Sequence, residues 1–91
     1  MSNIQAHVVF RGRVQGVGFR FTVERLAVNS GINGWVKNLS NGDVELVIEA
    51  EKKAVDDFLD KLRSQFHNYI HDEEIDLTDA SANFDDFQIK F

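Results

Sequence analysis

Apolar and polar residues alternate near the start of the chain, where Ile4, Ala6, Val8 and Phe10 are interleaved with Gln5, His7, Val9 and Arg11. A period of two marks a strand with one face buried. After residue 18 the period changes. Phe19, Thr22, Val23, Leu26, Ala27 and Ser30 fall on one face of a helix, and Asn29-Ser30-Gly31 supplies its stop. Ile32 to Asn38 reads as a short strand containing Trp35 and Val36, and Ser40-Asn41-Gly42 as a tight hairpin turn. Val44, Leu46, Ile48 and Ala50 alternate again. From Glu51 to Phe66 the residues Val55, Phe58, Leu59, Leu62 and Phe66 return to helical spacing. Tyr69, Ile70, Ile75 and Leu77 predict a strand over 72–78, inside an acid-rich segment that blurs the pattern. Phe87, Ile89 and Phe91 predict a last strand.

The order is β-α-β-β-α-β with one further short strand, which is the split β-α-β arrangement of ferredoxin-like α+β folds. Two amphipathic helices should cover one face of an antiparallel sheet and leave the other open. The first two strands then run parallel with the third between them. Their C-terminal ends meet at one end of the sheet, about two strand spacings or ~10 Å apart. Ninety-one residues suffice for one such domain, spanning 1–91.

Between the first strand and the first helix lies Gly12-Arg13-Val14-Gln15-Gly16-Val17-Gly18-Phe19-Arg20. Glycines let the backbone curl so that several N–H groups aim at one point, a nest that binds anions. Arg20, where the helix should begin, adds a fixed positive charge and a planar fork of donors. Nest, helix N-terminus and guanidinium describe a site for phosphate or carboxylate. The plainer reading is a glycine turn with a solvent-facing arginine.

Charge sharpens the choice. The chain carries −5 overall, against general nucleic-acid binding, yet residues 1–42 hold five basic side chains against Glu24 alone. Residues 43–91 hold fourteen acids against five bases. An acidic protein that gathers its positive charge around a glycine loop is equipped for a small anionic ligand. With no cysteine there is neither a disulfide nor a thiolate nucleophile. No secretory leader or membrane span is evident, so a cytoplasmic chain is expected and the sequon at Asn38 is taken as chance.

The familiar glycine motifs do not fit. A dinucleotide fingerprint needs glycine where Phe21 stands, and a Walker A loop needs Gly-Lys-Ser/Thr where Gly18 is followed by Phe19 and Arg20. His7, His67 and His71 lack metal spacing and read as surface residues. Asp72, Glu73, Glu74, Asp76 and Asp79 lack the glycine-hinged loop of a calcium site. What remains is an anion cradle without a covalent nucleophile, a metal or an obvious general acid. Cleavage of a phosphate bond with a good leaving group suits that equipment. A carboxylate, whose conjugate acid has a pKa of about 4, departs without being protonated. Asn38, whose amide both donates and accepts, suits the orientation of an attacking water.

Gly12 to Arg20 resembles the first acylphosphatase signature, and Gly34-Trp35-Val36-Lys37-Asn38 with Gly42 and Val44 resembles the second, in the same order and at similar separation. The resemblance spans essentially the whole chain and departs at Ala50, where the family usually has glycine, and at Phe91, where it often has tyrosine. It implies a ferredoxin-like hydrolase that splits acyl phosphates into carboxylate and inorganic phosphate without metal or cofactor. It assigns phosphate binding to Arg20 and to the main chain of Gln15, Gly16, Val17, Gly18 and Phe19, and water orientation to Asn38. A monomer acting on a small molecule, with no nucleic-acid or membrane partner, is expected. A further idea is that the C-terminal carboxylate returns to orient Arg20. Two other readings stay open: an RNA-binding module with Trp35 as its exposed aromatic, and an anion-sensing or carbamoyl-phosphate-handling domain from a larger enzyme.

Overall fold

The alternation near the start forms β1 (Ile4–Gly12), in which Ala6, Val8 and Phe10 are fully buried while Gln5, His7 and Val9 stay partly exposed. The helical spacing that follows forms α1 (Phe19–Ser30), burying Phe19, Val23 and Ala27. Then come β2 (Asn33–Asn38), β3 (Val44–Ala50) and α2 (Lys52–Gln65), whose inner face is Val55, Phe58, Leu59 and Leu62. β4 (Ile70–Asp79) and β5 (Phe87–Lys90) complete the chain. The computed structural model that gives these elements describes residues 3–91.

The sheet has the order β4-β1-β3-β2-β5. β3 runs antiparallel to both β1 and β2, so those two point the same way, as a ferredoxin-like fold requires. Sheet residues Val8, Phe10, Val36, Leu46 and Ile48 share one core with the buried faces of both helices. Within it the rings of Phe10, Phe19 and Phe66 meet edge to face, with centroids 5.2 and 4.8 Å apart. Such pairs contribute about 0.5–1.5 kcal/mol each beyond area burial. Because Phe19 is the first residue of α1, this stack fixes where the helix starts above the end of β1.

Two features differ from the sequence expectation. β4 is longer than 72–78, and its register on β1 sets Leu77 opposite Ala6, Ile75 opposite Val8 and Glu73 opposite Phe10. Glu73 therefore faces the helices, where the Arg63 guanidinium of α2 donates to it from Nε and Nη2 at 2.9 Å each. The sheet is also mixed rather than wholly antiparallel, because β5 pairs parallel with β2. β4 ends beside Ile4 at one edge, and β5 begins beside Gly34 near the other. The segment 80–86 must cross that end of the sheet between them, which sets the direction of β5.

Glu49 holds this crossing. Its buried carboxylate accepts from the backbone N–H groups of Ser81, Ala82 and Asn83 at 2.9–3.0 Å and from Gln5 Nε2 at 2.9 Å. Asn83 takes a left-handed backbone, φ 52°, which helps turn successive N–H groups inward. Burial alone raises the Glu49 pKa, but the Ala82 N–H, the Gln5 amide and the other two N–H groups outweigh it and hold the carboxyl below its ordinary value. A carboxyl shifted this way stabilises the fold above its unfolded pKa of about 4.3 and loses that contribution as pH falls through its folded value. Glu49→Gln should cost about 2 kcal/mol at neutral pH, or ~8–16 °C in Tm. In thermal unfolding the gap between variant and parent should narrow below about pH 4; a gap of constant size down to pH 2 would contradict the assignment.

Candidate active site

Gly18 adopts a left-handed backbone, φ 79°, at the start of α1, and Gly16 does the same at 77°. A side chain at either position would be strained there, and the two bends make the loop double back towards the helix. The first helical bond runs from Thr22 N–H to Gly18 C=O at 3.1 Å. The N–H groups of Phe19, Arg20 and Phe21 precede it and lack helical acceptors, and Gly18 has no side chain to cap them. The first turn also carries no acid. Its partial positive charge is left for something outside the helix.

A cleft of about 90 Å³ opens at this point, lined by Val14, Gly16, Gly18, Phe19, Arg20, Phe21 and Asn38. Asn38 arrives from the end of β2, the strand end that topology sets beside the end of β1. Its Oδ1 is buried without a hydrogen-bond partner among the described residues. Such an acceptor costs roughly 1–3 kcal/mol of folding free energy, and native proteins keep few of them.

Of the sequence-predicted residues, the structure brings Gly16, Gly18, Phe19, Arg20 and Asn38 to one cleft. Gln15 and Val17 do not line it. Val17 packs against the core. The Gln15 side chain reaches the turn between β2 and β3, donating through Nε2 to Leu39 C=O at 2.8 Å and Asp43 C=O at 2.9 Å. One amide thus ties the glycine loop to the hairpin that carries Asn38. Sequence reasoning missed Val14 and Phe21. Val14 is buried and anchors the loop, and an apolar residue between Arg13 and Gln15 is the signal that marks it.

Charge at the cleft is unevenly spent. Arg11 is engaged on the open sheet face by Glu74 at 2.8 Å, Asp72 at 3.4 Å and Asp43 at 3.7 Å, and its pKa is raised chiefly by the Glu74 hydrogen bond. Arg20 makes no ion pair among the described residues. Its guanidinium lies 5.1 Å from the centroid of the Phe91 ring. The last residue therefore does reach Arg20, but the contact is a ring against the cation. On the open face Trp35 is covered by the Lys90 ammonium at 4.7 Å, an unpromising platform for a stacked base. His7 pairs with Glu45 at 2.6 Å, and no group of metal-binding side chains occurs among the described residues.

An α/β sandwich of ferredoxin-like topology, with an anion-ready helix start opposite an amide, defines the structural class. Comparison with known proteins narrows it. The Acylphosphatase family profile matches residues 6–89. An acylphosphatase of Bacillus pumilus is 44% identical over 89 residues, covering 96% of this chain and 98% of that one. The crystal structure of acylphosphatase from Bacillus subtilis superposes with a TM-score of 0.88 at 29% identity, covering 97% and 99% of the two chains. Full-length HypF, in a phosphate- and nucleotide-bound form, superposes with a TM-score of 0.78 at 29% identity, over all of this chain but 12% of that one. The chain belongs to the acylphosphatase family.

Proposed function

We propose that the chain hydrolyses the carboxyl–phosphate bond of acyl phosphates by direct attack of water on phosphorus. The observation that carries this is the convergence, on one small cleft, of a bare helix start, a guanidinium and an amide oxygen, the last two without polar partners among the described residues. The phosphoryl oxygens rest against main-chain N–H groups of the glycine loop, of which Gly16, Gly18 and Phe19 line the cleft, and against the Arg20 fork, which together spread their charge. Water donates a hydrogen bond to Asn38 Oδ1, which turns a lone pair towards phosphorus in line with the leaving group. The new P–O bond forms as the bond to the acyl oxygen breaks. The carboxylate departs with its electron pair, and both protons of the water remain with the phosphate product. A leaving group whose conjugate acid has a pKa of about 4 calls for no general acid, metal or cofactor. The enzyme works as a cytoplasmic monomer on a small-molecule substrate, with neither nucleic acid nor membrane.

Hydrolysis of benzoyl phosphate by the purified chain in ¹⁸O-enriched water and excess chelator tests this. Turnover should persist, with label in phosphate alone. Label in benzoate would mean attack at the carbonyl carbon. The likeness to a small part of HypF favours a second reading, in which the chain is an anion-sensing or carbamoyl-phosphate-handling domain of the kind found within a larger enzyme. A folded chain that binds phosphate but does not turn over would select it.

A further inference from the structure

Phe21 is 61% exposed, although it sits in the first turn of a helix whose neighbouring Phe19 is fully buried. At two residues from Phe19 it lies outside the core, so the core gains no packing from an aromatic ring there. It nevertheless borders the cleft, alongside Arg20. The cleft is small, about 90 Å³, and open to solvent, so the acyl group of a phosphate held in it would extend towards the exposed residues beside it. Phe21, next to Arg20 in the chain, is both a lining residue and largely exposed, and Phe91, 92% exposed, lies against the guanidinium.

We infer that Phe21 is a specificity residue: its ring is the platform for the acyl group and favours substrates with an aromatic or extended apolar acyl chain over acetyl phosphate. This rests on the hydrolase reading above and adds the substrate class to it. An acyl phenyl ring offset over Phe21 buries apolar surface on both partners, whereas an acetyl methyl is too short to cover the ring. The contact touches no reacting atom. It acts by holding the acyl end while the phosphoryl end is gripped elsewhere.

The test compares kcat/KM for benzoyl phosphate and acetyl phosphate in parent and variants, so that the intrinsic reactivities cancel in the ratio of ratios. Phe21→Ala should lower the benzoyl-to-acetyl preference about tenfold, the size of one aromatic contact. Phe21→Tyr should restore it, because the ring face is kept. Val28→Ala, at another exposed apolar position on the same helix, should leave the preference where it was. Competitive inhibition by inorganic phosphate reports on the cradle separately and should be the same in parent and Phe21→Ala. An unaltered preference in Phe21→Ala overturns the inference while leaving the hydrolase reading intact. A parent that hydrolyses neither substrate overturns both.

Discussion

Arg20→Ala is expected to lower kcat/KM for an acyl phosphate by about 10²–10⁴-fold, with the loss divided between KM and kcat. Each hydrogen bond from a charged group is worth about 1.5–3 kcal/mol, and a bidentate guanidinium makes two. In the proposed mechanism these bonds form to the phosphoryl oxygens already in the bound substrate, which places part of the loss in KM, and they strengthen as charge moves in the transition state. Inhibition by inorganic phosphate should weaken in parallel. Stability should barely change, because within the fold the guanidinium does no more than rest on the exposed Phe91 ring, an interaction worth roughly 0.5–1 kcal/mol. Arg20→Lys should recover only a fraction of the activity, since an ammonium restores the charge without the planar fork. Unaltered phosphate inhibition in Arg20→Ala would remove Arg20 from the site.

Asn38→Ala should separate the two parameters. It leaves the helix start and the guanidinium untouched, so phosphate affinity should hold while kcat falls about 10²–10³-fold, as expected when a positioned polar group is removed. The change in stability should run opposite to the change in activity. Alanine removes a buried carbonyl that has no partner among the described residues, so Tm should stay level or rise by ~4–8 °C per kcal/mol of relieved desolvation. A variant that is inactive yet no less stable is the signature of a residue kept for chemistry. Full activity in Asn38→Ala would end its assignment as the group that orients water.

Much of this molecule is visible in its residue pattern, for reasons that can be named. β1, β3 and both helices each bury one continuous face, so the period of their apolar residues reports the element directly. β4 does not. Its inward register position opposite Phe10 carries Glu73, which is tolerable because Arg63 neutralises it from α2, and its inward Ile75 and Leu77 lie partly exposed at the sheet edge. A pattern based on burial cannot describe a strand whose inner face is partly ionic and partly wet. The direction of β5 was hidden for another reason. It depends on where the crossing 80–86 is anchored, and the anchor is a glutamate more than thirty residues earlier in the chain. At the cleft, Gly16, Gly18, Arg20 and Asn38 were legible because the proposed chemistry asks for those residue types. The bracing by Gln15 was not, because the carbonyls it reaches belong to backbone, which leaves no trace in side-chain identity.

The crossing segment has a bearing on how the chain treats anions. Three consecutive amides aimed at one point are a general receptor for oxyanions, and such a receptor occurs at residues 81–83. There the guest is the chain's own Glu49, brought into place by folding. That end of the sheet is thereby closed to competitors. At the opposite end the first turn of α1 has no acid to satisfy it, and under the proposed function that is where an acyl phosphate binds. On that proposal, prior occupancy by Glu49 is enough to keep the two places apart.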